Sequence, residues 1–133
     1  MIGLDTNVIV RLIARDDPAQ TEAADRILEQ AGDEGLFISL VVLAELAWVL
    51  RKAYRFTPGV VLDALEKVLA GREFAVERRT LAEEALARAR KAGCGYADAL
   101  IELIGQQAGA GQTLTFDTRA KRLPTMIDAM TYR

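Results

Sequence analysis

The chain opens with Met1-Ile2-Gly3-Leu4-Asp5-Thr6-Asn7-Val8-Ile9-Val10, where a short apolar run gives way to a helical pattern at a single acidic residue. The pattern predicts a short strand over 2–4 and a helix over 7–15, so Asp5 stands where the first strand ends. The same alternation of short apolar and longer helical stretches continues along the chain. It predicts further strands at 36–39, 73–76 and 112–116, and helices at 17–31, 40–54, 57–71, 80–92 and 96–108.

Several helix starts carry their own signals. Asp17-Pro18 and Thr57-Pro58 each combine a capping residue with a first-turn proline, and Thr80-Leu-Ala-Glu83 is a predicted capping box. Strands separated by helices require crossover connections, which favour a parallel sheet with helices on both faces. We therefore expect an α/β fold, a three-layer sandwich with a central, mostly parallel, twisted sheet of four to five strands.

Length and composition limit what this fold can do. The 133 residues predict one domain, 1–133, large enough for its own core. No targeting signal is visible, and the most apolar stretch, 35–50, is shorter than the roughly 20 residues of a membrane span. A cytoplasmic protein is therefore the default expectation. With no histidine and one cysteine, Cys94, the chain excludes His-containing triads, Cys-based zinc sites and intramolecular disulfides.

Charge sets a further limit. The chain has 17 basic and 19 acidic residues and a net charge of −2, which argues against a general binder of phosphate backbones. An enzyme that handles nucleic acid locally is still compatible with this balance. Because histidine is absent, its chemistry would fall to carboxylates, lysine, tyrosine, hydroxyls or a metal ion.

Four acidic residues stand apart because their neighbours are apolar. Asp5 and Asp117 follow predicted strands, Glu45 lies within an apolar helix, and Asp98 lies in the first turn of its helix. If they converge at the carboxyl ends of the strands, they form an oxygen-only pocket of the kind that binds Mg²⁺. Separate explanations stay open: a helix cap for Asp5, a helix-dipole charge for Asp98, a turn for Asp117, and a buried ion pair for Glu45.

At these residues the sequence resembles the PIN-domain family, in particular the VapC-type toxin ribonucleases of toxin–antitoxin modules. The match covers nearly the whole chain, with four short acidic motifs in order. They are Leu4-Asp5-Thr6-Asn7, Ala44-Glu45-Leu46, Tyr96-Ala97-Asp98-Ala99-Leu100 and Thr115-Phe116-Asp117.

The resemblance implies a PIN-like sandwich and an endoribonuclease that depends on Mg²⁺ or Mn²⁺, forms a homodimer and is inhibited by a cognate antitoxin. It implies that Asp5 and Asp98 are metal ligands and that Asp117 binds the metal directly or through water. Glu45 would complete the site or activate the attacking water. The supporting polar groups would be Thr6, Asn7 and Thr115. Glu102 lies one helical turn after Asp98 and could reach the site, but the favoured interpretation is a position at its periphery.

RNA bound at an acidic pocket needs positive groups at the rim. Two basic clusters are candidates, one after Asp117 and one at the end of the Glu45 helix. They are Arg119, Lys121 and Arg122, and Arg51, Lys52 and Arg55. Trp48 and Tyr54 offer rings for base stacking, although packing against the core is the favoured interpretation for both.

Two alternatives from other classes stay open. A phospho-receiver signalling domain is also a single parallel α/β domain, but it needs an acidic pair after the first strand, where only Asp5 stands. A non-catalytic PIN-like interaction module would keep the shell without needing its acids, whereas all four acids are present. The choice of RNA over DNA as substrate rests on the resemblance alone.

Overall fold

The computed structural model describes residues 1–133, and its elements follow the predicted alternation of strands and helices. The helices are α1 (Thr6–Ala14), α2 (Pro18–Glu29), α3 (Leu40–Lys52), α4 (Pro58–Ala70), α5 (Arg79–Ala92) and α6 (Tyr96–Gln107). The strands are β1 (Ile2–Gly3), β2 (Leu36–Ile38), β3 (Phe74–Val76), β4 (Thr113–Thr115) and β5 (Met126–Asp128). One turn of 3-10 helix, Ala120–Arg122, lies between β4 and β5.

Every strand pair is parallel, which confirms the predicted α/β class. β2 lies between β1 and β3, where Leu36 pairs with both Ile2 and Phe74, and β4 pairs with β5. Backbone hydrogen bonds thus join the strands as a three-stranded and a two-stranded sheet. The strands are only two or three residues long, and the helices pack mainly against one another.

The predicted starts of two helices follow the local signals. Asp17 and Thr57 each accept a hydrogen bond from the backbone N–H three residues later, and a proline occupies the first turn after each. Ser39 caps α3 in the same way. These caps satisfy backbone donors that have no partner inside the helix.

The capping box predicted at Thr80 is wrong. α5 begins one residue earlier, at Arg79, and no side chain caps it; Arg78 precedes it with a left-handed φ of 46°. The guanidinium of Arg79 donates hydrogen bonds to the carbonyls of Leu69 and Phe74. These contacts with α4 and β3 place the start of α5, and they outweigh the local capping signal.

α3 is the central helix of the fold. It packs against α1, α4 and α6, and its inner face buries Leu43, Leu46 and Leu50 completely. Ile38 of β2 and Leu65 of α4 are equally buried and belong to the same core. None of the six helices has the length and apolar character that crossing a membrane would require.

Candidate active site

Two of the four acidic residues lie within helices, one caps a helix, and one follows a strand. Asp5 precedes the first residue of α1, Glu45 lies midway along α3, and Asp98 is the third residue of α6. Asp117 follows β4 by two residues. Because α1 and α6 both pack against α3, the topology brings Asp5 and Asp98 close to the helix that carries Glu45.

Asp5 and Glu45 are connected through Thr6. The Asp5 carboxylate accepts a hydrogen bond from the backbone N–H of Thr6 at 2.7 Å, so Asp5 does cap α1. The buried hydroxyl of Thr6 donates to Oε1 of Glu45. With Asn7, these three residues line one groove of about 460 Å³. The first groove, as we call it, therefore contains one acidic pair held by a threonine.

Glu45 is exposed, although its neighbours along α3 are apolar. The outer face of α3 carries apolar residues into solvent, with Val41 76% and Trp48 62% exposed. The buried ion pair proposed for Glu45 is therefore wrong, since its hydrogen-bond partner is the hydroxyl of Thr6. Its second oxygen is free to meet a ligand in the groove.

Asp98 is half-buried at the start of α6. Burial raises the pKa of its carboxyl group, and the negative charge of Asp117 raises it further. A hydrogen bond from the backbone of Gly95 and the positive charge of Arg119 oppose this shift in pKa without cancelling it. Asp98 and Asp117 thus interact electrostatically as a second acidic pair.

Asp117 has the opposite shift. Its Oδ1 accepts hydrogen bonds from the backbone N–H groups of Ala120 at 2.9 Å and Arg119 at 2.8 Å, and these bonds lower the pKa of Asp117. The hydroxyl of Thr115 accepts a hydrogen bond from the backbone N–H of Asp117 at 3.0 Å. The turn explanation for Asp117 is therefore correct, and it leaves the carboxylate ionised and fixed in place.

The second acidic pair lines another groove, of about 340 Å³, between α3, α4 and α6. Trp48, Arg51 and Lys52 of α3 line this second groove together with Arg119. Successive residues of a helix turn by about 100°, which places Glu45 on the ridge of α3 between Val49 and Trp48. Val49 faces the first groove and Trp48 the second, so Glu45 lies at the border between the two acidic pairs.

The chemistry of the four acids suits a hard divalent cation. None of them forms an ion pair with lysine or arginine, although acids elsewhere in the chain do. Carboxylate oxygens that are not bound to a lysine or arginine are available to Mg²⁺ and Mn²⁺, which prefer oxygen ligands. As placed, no three acidic or cysteine side chains lie close enough together to hold a metal ion. A single metal site shared by both pairs stays a prediction.

The basic residues predicted as RNA contacts have different positions. Arg119 lines the second groove beside Asp117. Lys121 pairs with Asp128 at 3.1 Å, and Arg122 donates to the carbonyl of Gly93 at 3.1 Å. Lys121 and Arg122 therefore have structural contacts, and the second candidate cluster supplies Arg51 and Lys52 to the groove in their place.

Glu102 is fully buried and lines neither groove. It pairs with Arg88 at 2.9 Å and accepts hydrogen bonds from the backbone N–H and the hydroxyl of Thr125 at 2.7 and 2.8 Å. These contacts join α5, α6 and the residue before β5. They agree with a peripheral, structural position for Glu102.

Sequence reasoning missed a polar network beside the first groove. Arg11 donates to Asp16 and to the Tyr54 hydroxyl, both at 3.0 Å, and that hydroxyl donates to Asp16 at 2.8 Å. The hydrogen bond with Tyr54 is the main cause that lowers the pKa of Asp16. Because Tyr54 is 38 residues from Asp16, no local signal predicts this contact. Tyr54 thus fits the packing interpretation, whereas Trp48 does not.

Comparison with known proteins adds to this geometry. The family model described as "PIN domain" matches residues 2–125. A curated relative, "VapC ribonuclease" of Aquifex aeolicus (strain VF5), is 24% identical over 122 residues, which is 90% of this chain and 90% of the relative.

Proposed function

The chain belongs to the PIN-domain family, and from that premise we propose that it is a Mg²⁺- or Mn²⁺-dependent endoribonuclease, the toxin of a type II toxin–antitoxin module. The observation that carries the proposal is the set of four acids without ion pairs, of which Glu45 lies on α3 and the other three line grooves beside that helix. Similarity to a protein named VapC ribonuclease supports RNA as the substrate.

We assign the metal ligands to Asp5, Asp98 and Asp117, with Glu45 at their border. A divalent cation held there would supply activation of a water molecule and would offset negative charge on the phosphate oxygens. The protein's part is to hold these oxygens in place. Thr6 fixes one oxygen of Glu45, and two backbone N–H groups fix one oxygen of Asp117.

Glu45 is the proposed general base. Its free oxygen accepts a proton from a water molecule while the water oxygen forms a bond to phosphorus. The bond from phosphorus to the 3′ oxygen breaks, and that oxygen takes up a proton from solvent, while Glu45 returns its own proton to solvent afterwards. The products are therefore a 5′-phosphate and a 3′-hydroxyl. Arg119, Arg51 and Lys52, at the rim of the second groove, would hold the neighbouring phosphates against the repulsion of the acids.

The test is cleavage of an end-labelled RNA with Mg²⁺, with Mn²⁺ and with EDTA. Glu45→Gln should slow cleavage by about a hundredfold or more, since it removes the general base, and Asp98→Asn should slow it by removing a metal ligand. The matched control is Glu83→Gln, an exposed glutamate on α5 that should keep the rate of the unsubstituted protein. Equal cleavage in EDTA would refute the metal dependence, and a 2′,3′-cyclic phosphate among early products would refute attack by water.

We also propose two protein partners, a cognate antitoxin and a second copy of the chain. Exposed apolar residues on α6 and near β4 support a protein-binding surface, among them Ile101 at 53% and Phe116 at 73%. Light scattering on the purified protein would measure its oligomeric state, and a monomer at micromolar concentration would contradict the dimer.

A further inference from the structure

Trp48 is the only tryptophan of the chain and lies largely in solvent. It stands on the outer face of α3, three residues after Glu45, while Ala47 and Leu50 complete the buried face of the same helix. The one close pair of aromatic rings in the structure is Tyr54 with Phe56, so the indole has no aromatic neighbour of its own. A large apolar ring left this exposed is available to a ligand.

The charges around Trp48 indicate what kind of ligand this is. Arg51, Lys52 and Arg119 share the second groove with the indole, and none of the three forms an ion pair. Positive groups beside an exposed aromatic face are the combination that binds single-stranded nucleic acid, because the ring stacks on a base while the cations meet phosphates. An apolar peptide would leave these three charges without partners.

The position of Trp48 connects it with the proposed reaction. It lines the same groove as Asp98 and Asp117, and it lies about 4.5 Å beyond Glu45 along the axis of α3. When a phosphate of the RNA lies at the acids, the base of that nucleotide or of the next one in the strand would therefore reach the indole. A base inside a duplex is already paired and stacked, so only an unpaired base can make this contact.

We propose that Trp48 stacks on an unpaired base beside the cleaved phosphate and so directs the enzyme to single-stranded positions in RNA. This inference rests on the proposed ribonuclease function and assigns one specificity-determining residue within it. It makes Trp48 a substrate-contact residue with no part in the transfer of protons.

Kinetics and fluorescence test the inference together. Trp48→Ala should raise KM for a single-stranded RNA between about five- and a hundredfold, since the loss of stacking on one base weakens binding by about that factor. Trp48→Phe should recover part of this loss, because its ring can still stack. The control is Val41→Ala, which shortens a still more exposed apolar side chain on the same face of α3 outside the groove. Cleavage of the same RNA paired in a duplex should be slow in all variants.

The second readout uses the fluorescence of Trp48 itself. Single-stranded RNA added in EDTA should quench this emission, whereas a duplex of the same sequence and inorganic polyphosphate should not. If no RNA is cleaved but single strands still quench, the proposed function fails and the stacking assignment stands. If RNA is cleaved with an unchanged KM and no quenching, the stacking assignment is wrong. A change confined to dimer formation in Trp48→Ala would also overturn it, because the occupant would then be a protein.

Discussion

Replacing Glu102 by glutamine should destabilise the fold and leave the chemistry of the two grooves in place. Glu102 is acidic and lies one helical turn after Asp98, so a site role and a structural role predict opposite results for this substitution. In the structure its carboxylate is 0% exposed, and both of its oxygens accept hydrogen bonds from Arg88 and Thr125. The structural role therefore predicts a loss of stability with little loss of cleavage.

The size of the loss follows from these contacts. Removing one partner of a buried ion pair costs about 3–5 kcal/mol, and a hydrogen bond to a charged group contributes about 1.5–3 kcal/mol. Glutamine keeps one acceptor oxygen for Thr125 and loses the charge that faces Arg88. Arg88 is 29% exposed and keeps Glu84 at 3.1 Å and Gln106 at 2.9 Å, so it still has partners after the substitution. The loss in Glu102→Gln should therefore lie in the range for a hydrogen bond to a charged group, below that for a broken buried ion pair. We expect about 2 kcal/mol for Glu102→Gln and about 3–5 kcal/mol for Glu102→Ala.

Thermal unfolding followed by circular dichroism measures the effect. For a chain of this length, 2 kcal/mol corresponds to a decrease in Tm of about 6–10 °C. Glu83→Gln on α5 is again the matched control, and its Tm should stay within about 2 °C because an exposed substitution changes stability little. Cleavage is then measured well below the Tm of every variant. An unchanged Tm together with lost cleavage in Glu102→Gln would refute the structural assignment and indicate a role for Glu102 in the reaction.

Three further predictions concern Asp98, Cys94 and Gly35. Burial raises the pKa of Asp98, so its negative charge opposes folding at neutral pH. In EDTA at pH 7, Asp98→Asn should therefore keep or raise the free energy of unfolding. Any gain should disappear at acidic pH, where the carboxyl group of the unsubstituted protein is itself neutral. A loss above about 1 kcal/mol would indicate a structural role. Burial raises the pKa of the Cys94 thiol, so a thiol reagent should modify it only as the protein unfolds, and immediate labelling would contradict its placement. Gly35 has a φ of +77°, and a Cβ there would lie 3.1 Å from the Glu73 carbonyl oxygen, so Gly35→Ala should cost about 1–2 kcal/mol in urea unfolding. Gly32→Ala, with open space around it, should be nearly neutral.

The elements that sequence predicts well are those with local causes. α2 and α4 begin directly after Asp17 and Thr57, because each of these caps is followed at once by a first-turn proline. The start of α5 has an equally clear local signal at Thr80, yet the helix begins at Arg79. The difference is that Arg79 has partners in α4 and β3, and such contacts depend on the fold.

Burial on α3 is less predictable for a related reason. A helix with apolar residues on one side shows by its period which face packs inward, but α3 has apolar residues all around it. The apolar neighbours favour packing against the core for Trp48 and leave a buried ion pair open for Glu45, yet both side chains are exposed. The packing of α1, α4 and α6 decides which face stays open. An apolar residue that this packing leaves in solvent beside unpaired acids departs from local rules, as residues at functional sites commonly do.

Asp98 and Glu102 show where sequence reasoning about the site must stop. They occupy successive turns of one helix, and neither neighbouring residues nor helical position separates a ligand from a structural acid. Glu102 acquires its partners from Arg88 and Thr125, which are 14 and 23 residues away, and these fill both of its oxygens. Asp98 instead meets a second acid, Asp117, whose charge raises its pKa. A carboxylate whose two oxygens already accept hydrogen bonds from the protein serves the structure. A carboxylate beside another carboxylate is repelled by its charge, and a bound cation relieves that repulsion. The role of each acid is thus decided by the distant groups that the fold places beside it.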